Sequence, residues 1–333
     1  MFKSILNFSN RTRLFNAFLR SQNRSLGMPN IFIIETTNHC DRKCDICPHQ
    51  SLERPKGFMD LGLYRRIIDQ IPHAELVFPY FLGEPLLHKD IYEMIKYSKS
   101  KGLYTSISTG GKLLNEYNCH KLVDAGLDHL QMSLHATTQE GYEAIDSKAD
   151  FEVLLENIER FLAINKGRID FYISIINIDA GTKEWKKFAE EWKKKGAKVR
   201  FKFFTDWNSE KEAIRRFSHL RPRQKSDIYP CDWLWTQFHI LWDGRVVPCC
   251  FDYDGTHILG DAGKETIKSI WNGPAYKQIR QAHLTDGSSI KLCAKCNRRK
   301  KPWYELPFHI FFDASLIYRL RYFFEQKPRK HFG

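Results

Sequence analysis

The feature that most constrains the fold is an alternation of strand-like and helix-like segments between residues 31 and 204. Short apolar segments are each followed by a longer segment whose apolar residues recur at helical spacing. Strands that alternate with helices in this way form a parallel sheet, and six such units predict an α/β fold, a partial (β/α)6 TIM-like barrel. The predicted strands cover residues 31–36, 75–81, 104–108, 129–134, 170–176 and 199–204.

In such folds ligands bind at the carboxyl ends of the strands, so the residues that follow each strand are candidate site residues. Cys40, Cys44 and Cys47 follow the first predicted strand. Three thiolates from one loop can bind a 4Fe–4S cluster and leave one iron open, whereas an electron-transfer cluster of this type takes four cysteines. A zinc site, or three unrelated buried cysteines, would be compatible with the same spacing.

The C-x3-C-x2-C spacing of these cysteines resembles the cluster loop of radical S-adenosylmethionine (SAM) enzymes. The resemblance implies that Cys40, Cys44 and Cys47 bind a 4Fe–4S cluster whose open iron takes the amino and carboxylate groups of SAM. It also implies that the reduced cluster cleaves SAM to a 5′-deoxyadenosyl radical, which abstracts hydrogen from the substrate. The electron would come from a donor such as flavodoxin or ferredoxin.

The turn after the second predicted strand is Gly83-Glu84-Pro85, which resembles the family's GGEP motif. In the family this motif holds the methionine amine of SAM, and Leu82 stands here in place of its first glycine. An acid in a turn beside the cluster can pair with an ammonium group, although Gly-Glu-Pro is also a common structural turn. The resemblance assigns Gly83, Glu84 and Pro85 to the SAM pocket.

Residues at the ends of the later strands complete the pocket that the resemblance implies. Gly110 stands where the family often has asparagine, and Asp146 stands near the position of an arginine that clamps the SAM carboxylate in many relatives. That clamp is therefore absent here or passes to Lys148. Ser133 matches a serine of the family that contacts SAM, and two further residues are expected to reach the ribose. The candidate contacts are Thr109, Gly111, Ser133, Ser174 and Asn177.

Four further cysteines predict a second metal site: Cys231, Cys249, Cys293 and Cys296. The first two bracket a predicted hairpin with its turn at Asp243-Gly244, and the last two form a C-x2-C pair. Four thiolates suit either tetrahedral zinc or a fully ligated 4Fe–4S cluster. Behind a radical SAM barrel, the arrangement resembles the SPASM and Twitch extensions, which house auxiliary clusters. With no cysteine beyond Cys296, the resemblance implies one auxiliary cluster, as in the Twitch type.

Two residues are candidates for chemistry on the substrate. His135, at the end of the fourth predicted strand, is either a substrate-side acid–base group or a solvated residue at the rim. Cys250 has three interpretations: it exchanges roles with Cys249, it is a buried neighbour, or it donates a hydrogen atom to a substrate radical, as in radical epimerases. Cys119 lies within a predicted helix and is most simply a core residue.

The net charge of +13 is concentrated at the two ends of the chain. Residues 1–30 combine basic residues with apolar residues at helical spacing, so this segment either packs on the barrel or lies on an anionic membrane surface. The basic aromatic tail, 301–333, has the same two alternatives. No apolar run is long enough to predict a spanning helix, and no signal segment is recognisable. Clustered cysteines indicate metal ligands in a reducing compartment, so a cytoplasmic location is expected, with peripheral membrane contact through the termini as an option.

These features predict five regions along the chain. They are a basic N-terminal helix (1–30), a radical SAM partial barrel (31–207), a linker (208–229), an auxiliary-cluster domain (230–300) and a tail (301–333).

The predicted function is a radical SAM oxidoreductase acting on a C–H bond of a sugar, cyclitol or glycolipid. The auxiliary cluster would take up the second electron. A ribosomal-peptide maturase or epimerase of the same superfamily is the first alternative. A non-catalytic zinc or nucleic-acid-binding protein is the second. The basic charge and the C-x2-C pair support it. The near-neutral middle of the chain and the Gly-Glu-Pro turn argue against it, and no DNA partner is expected.

Overall fold

The structure is a computed structural model that describes residues 2–20, 22–23, 27–146, 150–176, 182–202, 204–207, 209, 211–217, 230–294 and 296. Side chains are not described at 2–8, 19 and 182–183. Two residues named in the sequence analysis, Asn177 and Lys148, lie outside the described residues. The tail at 301–333 and most of the predicted linker also lie outside them.

The described residues form one sheet of nine strands. The strands are β1 (Ile31–Ile34), β2 (Leu76–Phe78), β3 (Tyr104–Thr109), β4 (His129–His135), β5 (Asp170–Ile176), β6 (Lys198–Lys202), β7 (Gln237–Ile240), β8 (Arg245–Val247) and β9 (Gly260–Asp261). Their order across the sheet is β6-β5-β4-β3-β2-β1-β7-β8-β9, and every pair from β6 to β7 is parallel. This confirms the predicted α/β fold, with the six predicted strands as consecutive parallel neighbours.

Helices connect and cover the strands, and several begin at a side-chain cap. They are α1 (Phe2–Leu19), α2 (Leu61–Asp69), α3 (Ile91–Ser100), α4 (Glu116–Asp124), α5 (Gln139–Glu143), α6 (Phe151–Asn165), α7 (Thr182–Lys194), α8 (Glu212–Arg215), α9 (Trp233–Thr236), α10 (Ile267–Trp271), α11 (Pro274–Asp286) and α12 (Lys291–Ala294). Asp60, Asn115, Thr138 and Asp150 each accept a hydrogen bond from a backbone N–H of the first turn that follows. Such caps fix where a helix starts.

The hairpin predicted at Asp243-Gly244 is present, because β7 and β8 pair in antiparallel fashion. Strand β7 also pairs in parallel with β1, from Ile31 opposite Gln237 to Ile34 opposite Ile240. The sheet therefore continues from the barrel strands into the C-terminal region. This contact brings the C-terminal cysteine region beside the strand that leads into the first cysteine loop.

Two large apolar cores flank the sheet. One contains Leu130 of β4 and Phe161 of α6, and the other contains Phe32 of β1 and Trp271 of α10, each of which is fully buried. Burying a large apolar side chain contributes about 1.5–3 kcal/mol. These cores hold the strand ends, and the loops that follow them, in fixed positions.

The described side chains of α1 pack on the protein. Leu14 and Ala17 are fully buried, and Phe18 meets the edge of Trp235 with ring centroids 5.4 Å apart. Arg11 forms an ion pair with the buried Glu75 at 3.2 Å. Of the two alternatives for this segment, the described part adopts the packed one. None of the helices in the described residues is both long and apolar enough to cross a membrane.

Candidate functional site

Cys40, Cys44 and Cys47 lie in the loop after β1 as half-buried free thiols. Burial raises the pKa of Cys40 to about 12 and raises the pKa of Cys44 and Cys47 as well. Repulsion from Cys47 adds to the rise in pKa at Cys40 and Cys44. The backbone N–H of Cys47 also donates to the carbonyl oxygen of Cys44 at 3.1 Å, so the loop turns back on itself at these cysteines. A metal is the usual partner that keeps such thiols deprotonated, so this donor set fits a thiolate-bound cluster.

Hydrogen bonds within the loop fix its path. His49 contacts the carbonyl oxygen of Asn38 at 2.8 Å, and the Gln50 side chain donates to the carbonyl oxygen of Arg42 at 3.2 Å. The backbone N–H of Asp45 donates to the carbonyl of Ile145 at 2.8 Å. The loop is thus tied both to itself and to the segment that follows α5.

Arg42, between the first two cysteines, is buried at the centre of this region. Its Nε donates to Asp146 at 3.1 Å, and its Nη1 donates to the carbonyl oxygens of Gly110 and Ser133 at 3.0 Å each. The guanidinium lies over the ring of Tyr142, 5.2 Å from its centroid. Arg42 therefore joins the cysteine loop to the ends of β3 and β4.

This contact accounts for two departures from the family pattern. A Cβ at Gly110 would lie 2.5 Å from Cδ of Arg42, so a side chain there has no room. Asp146 is the buried counter-ion of Arg42, and one of its oxygens lies 3.6 Å from Sγ of Cys44. Sequence analysis did not identify Arg42, although a basic residue inside a buried metal loop is the signal that could have found it.

Glu84 lies in the turn after β2, with both carboxylate oxygens engaged. One accepts hydrogen bonds from Thr109 Oγ1 at 3.0 Å and Gly110 N–H at 2.7 Å, and the other accepts from Leu86 N–H at 3.1 Å. Burial raises the pKa of Glu84 to about 7, and Cys40 is among the groups that feel its charge. The structure thus brings the predicted acid beside the predicted cluster loop.

Position 83 requires glycine because the backbone of the cysteine loop lies too close to leave room for a side chain. A Cβ at this position would lie 2.2 Å from the carbonyl oxygen of Thr37 and 2.7 Å from that of His39. Pro85 begins a short 3-10 helix directly after Glu84. The Gly-Glu-Pro sequence therefore places the acid against the start of the cysteine loop.

The remaining predicted SAM contacts lie along the ends of β3, β4 and β5. Ser133 and Ser108 share a hydrogen bond at 3.2 Å, and Thr109 is held by Glu84. Gly111 has φ +88°, in the region that favours glycine. Ser174 is buried, and its hydroxyl has no hydrogen-bond partner among the described residues. These residues thus lie on or directly after the neighbouring strands β3, β4 and β5, and their contact with SAM stays a prediction.

His135 has an unusual setting at the end of β4. Its φ is +71°, and its Nδ1 is buried with no hydrogen-bond partner among the described residues. Burial, with Arg42 and Lys202 nearby, lowers the pKa of His135 to about 3. The ring is therefore neutral near pH 7 and a weak base, which differs from the solvated rim residue considered in the sequence analysis.

The C-terminal cysteines line a cavity that is separate from the loop after β1. One cavity is lined by all four predicted ligands, Cys231, Cys249, Cys293 and Cys296, together with Trp233, Leu234, Pro248, Phe251, His283 and Leu292. Cys249 lines this cavity with the other three, whereas Cys250 does not. Burial raises the pKa of Cys249 well above its usual value, with Cys250 and Cys231 adding to the effect. All four predicted ligands therefore line one cavity, as a donor set for a single bound group requires.

Within the described chain, no three His, Cys, Asp or Glu side chains are placed to hold a single metal ion. A tetrahedral zinc ion requires thiolates at about 2.3 Å from one point. A four-iron cluster binds each thiolate at a different iron, so it spans a wider set of ligands.

Comparison with known proteins identifies two families. The radical SAM superfamily matches residues 34–191, and an iron–sulfur cluster-binding domain, SPASM, matches residues 231–297. Among curated proteins, the PqqA peptide cyclase of Gluconobacter oxydans is 30% identical over 119 residues. That match covers 35% of this chain and 33% of the relative, so it spans about a third of either protein.

Solved structures share the fold at low sequence identity. BtrN in complex with AdoMet and 2-DOIA has a TM-score of 0.55 and 17% identity, covering 81% of this chain and 93% of that one. SuiB of Streptococcus suis bound to its precursor peptide SuiA has a TM-score of 0.61 and 14% identity, covering 80% and 70%. These likenesses show the barrel and its C-terminal extension.

Proposed function

We propose that this chain is an enzyme of the radical SAM superfamily with a C-terminal SPASM domain, and that it oxidises a substrate at a C–H bond. Its cofactors are 4Fe–4S clusters and SAM. The observation that carries the proposal is the pair of separate thiol sites. The loop after β1 provides three thiol ligands, Cys40, Cys44 and Cys47, which is one fewer than a 4Fe–4S cluster has irons. The C-terminal cavity is lined by four thiols, one for each iron.

The two sets would have different roles. The three-thiol loop would bind the SAM-cleaving cluster, because three ligands leave one iron open. When bound, the cluster and SAM supply a 5′-deoxyadenosyl radical that takes a hydrogen atom from the substrate. The four-thiol cavity would hold the auxiliary cluster, which is closed to substrate and suited to electron transfer. Flavodoxin or ferredoxin is the class of donor we expect for the first site.

Residues at the strand ends would position SAM beside the three-thiol loop. Glu84 would pair with the methionine ammonium, since it lies next to Cys40 and each carboxylate oxygen can accept more than one hydrogen bond. Ser174, whose buried hydroxyl has no hydrogen-bond partner within the described part of the chain, would reach the ribose. The other proposed contacts are Gly83, Pro85, Thr109, Gly111 and Ser133, with Asn177 outside the described residues.

A sugar or cyclitol is the proposed substrate class. Support comes from BtrN, because this chain covers 93% of its length, and BtrN was solved with AdoMet and 2-DOIA. Oxidation of a secondary alcohol would send one hydrogen atom to the radical, one electron to the auxiliary cluster and one proton to solvent. A peptide substrate is the second candidate, favoured by the likeness to the PqqA peptide cyclase and to SuiB with its precursor peptide.

Anaerobic purification with metal and sulfide analysis tests the cluster assignment. Two 4Fe–4S clusters require about eight irons per chain. Incubation with SAM and a strong reductant should then yield 5′-deoxyadenosine. Cys44→Ala should abolish this product, whereas Cys293→Ala should retain some uncoupled cleavage. Cys119→Ala, which removes a core thiol outside both sites, is the control and should keep the wild-type iron content. Zinc without iron would refute the proposal.

The substrate class is tested with deuterium. Candidate sugars and cyclitols carrying deuterium at their carbinol carbons, and candidate peptides deuterated at Cα and Cβ, would each be incubated with the loaded enzyme and SAM. Deuterium in 5′-deoxyadenosine identifies the molecule from which hydrogen is taken. Transfer from a peptide and not from any carbinol carbon would replace the sugar assignment with the peptide one.

A further inference from the structure

Helix α11 carries two buried basic side chains, one that lines the four-thiol cavity and one that hydrogen-bonds to a residue of its lining. His283 lines that cavity, and Arg280, one turn earlier, donates to the carbonyl oxygen of Leu234, another lining residue. Both side chains are buried, with His283 4% exposed and Arg280 0% exposed. Neither residue belongs to a cysteine motif, and the proposed function gives them no role.

His283 contacts two of the four cysteines. Its Nε2 lies 3.3 Å from Sγ of Cys293, and its Nδ1 lies 3.3 Å from the backbone nitrogen of Cys231. A backbone N–H can only donate, so Nδ1 must be the accepting nitrogen. The proton of the neutral ring is then on Nε2, where it points to Sγ of Cys293. His283 is therefore a hydrogen-bond donor to a proposed cluster ligand.

Arg280 is a buried cation without a carboxylate partner among the described residues. Its Nε donates to Leu234 O at 2.8 Å, and its Nη1 donates to Trp271 O at 2.8 Å. Its Nη2 has no hydrogen-bond partner in the described chain. Burial lowers the pKa of Arg280 to about 10, which leaves it charged at pH 7.

The guanidinium of Arg280 also lies over the rings of Trp271 and Tyr276, 4.1 Å and 4.8 Å from their centroids. These contacts offset part of the cost of burying its charge, and a nearby opposite charge would offset more. A 4Fe–4S cluster bound by four thiolates has a net negative charge, so its occupancy of the cavity would supply that opposite charge. A cation near a cluster, and a hydrogen bond to its sulfur ligand, both stabilise an added electron.

We infer that His283 and Arg280 raise the reduction potential of the auxiliary cluster and so make it an electron acceptor. This inference rests on the proposed function, because it requires a cluster in the four-thiol cavity. In the step concerned, the substrate radical is oxidised by one electron, the cluster is reduced by one electron, and the substrate proton leaves to solvent. His283 is a positioning residue, since it acts through Cys293.

A redox titration of the intact, cluster-loaded enzyme, followed by EPR, tests this. His283→Phe keeps a ring of similar size and removes the donor, so the auxiliary midpoint should fall. The hydrogen bond is stronger to the more negative, reduced cluster, so we expect its loss to lower the equilibrium constant for electron uptake about tenfold, which is about 59 mV for a one-electron couple. His283→Gln, which restores an N–H donor, should recover part of the shift. The midpoint of the SAM-binding cluster should not change in either variant.

Two controls make the outcomes distinct. His257→Phe changes a histidine that does not line the cavity and should leave both midpoints unchanged. Arg280→Lys should preserve the midpoint better than Arg280→Met. A second cluster whose midpoint is the same in wild type and His283→Phe would overturn the inference alone. Wild-type protein with about four irons and no second EPR signal would overturn both the inference and the two-cluster proposal.

Discussion

Arg42 shows how a residue between two cysteines of the motif determines which residues can lie beside the first thiol site. Its guanidinium fills the space beside Gly110 and pairs with Asp146, so positions distant in sequence depend on one side chain. The replacement of asparagine by glycine at 110 and the acid at 146 form one structural unit with Arg42. Gly110 leaves room for the Arg42 side chain, and Asp146 balances the charge of Arg42.

This dependence predicts a specific coupling. Gly110→Ala should lower the free energy of unfolding by about 1–3 kcal/mol, because Arg42 is anchored and cannot move away from the new methyl group. In an Arg42→Ala background, the same substitution should cost almost nothing. Denaturant unfolding of the two single variants and the double variant measures the coupling. An equal cost of Gly110→Ala in both backgrounds would contradict the predicted contact.

Glu84 gives a second prediction at this scale. Glu84→Gln should weaken SAM binding at least about tenfold, because a hydrogen bond to a charged group contributes about 1.5–3 kcal/mol. Binding of SAM to the cluster-loaded enzyme can be followed by calorimetry, separately from turnover. Glu93→Gln on α3 is the control, since Glu93 is exposed and pairs only with Lys96 among the described residues. Equal affinities for the Glu84→Gln variant and wild type would exclude Glu84 as the ammonium partner.

The sequence predicted strand β7 itself but not that it pairs with β1. Short apolar segments alternating with segments of helical spacing predicted β1 to β6, and Asp243-Gly244 predicted the β7–β8 hairpin, because both signals are local. The pairing of β7 with β1 joins Ile31 to Gln237, and no local pattern specifies a partner so far along the chain. Likewise, the spacing of Cys249 and Cys250 could not tell which thiol faces the cavity, since neighbouring side chains point in different directions.

His239 on β7 should make the stability of the folded protein depend on pH. It is 2% exposed, and burial lowers its pKa to about 3, against about 6.5 in an unfolded chain. Between these values the unfolded chain binds the proton and the folded protein does not. His239 therefore makes stability fall as pH drops below about 6.5, by about 1.4 kcal/mol per pH unit.

The variant His239→Phe removes this titration while keeping an aromatic ring beside Phe81 and Trp233. Urea unfolding at pH 7, 6 and 5 should show the wild type losing stability relative to the variant at each step. Taking the difference cancels the contributions of the other buried histidines. Parallel stability curves would show that His239 does not titrate between the folded and unfolded states as expected.

At the scale of the whole molecule, the N-terminal segment connects to the C-terminal helices. Backbone carbonyls of this segment accept hydrogen bonds from three buried side chains of that region: Gln22 from Trp235, Gly27 from Trp271, and Asn23 from Arg280. Leu14 belongs to the core shared by β1, β7 and α11, and Ala17 to a smaller cluster with Trp235 and Ile279. The segment thus supports the region that holds the four-thiol cavity.

Leu14→Ala should therefore destabilise the protein by about 2–5 kcal/mol, the cost of truncating a fully buried leucine. Arg13→Ala, at the adjacent exposed position, is the matched control and should change the free energy of unfolding little. Denaturant unfolding gives both values, and cosedimentation with anionic vesicles gives membrane affinity. Because Leu14 is buried in the protein, its truncation should leave vesicle binding unchanged. Lost vesicle binding with unchanged stability would instead place this helix on the membrane surface, with its apolar face away from the core.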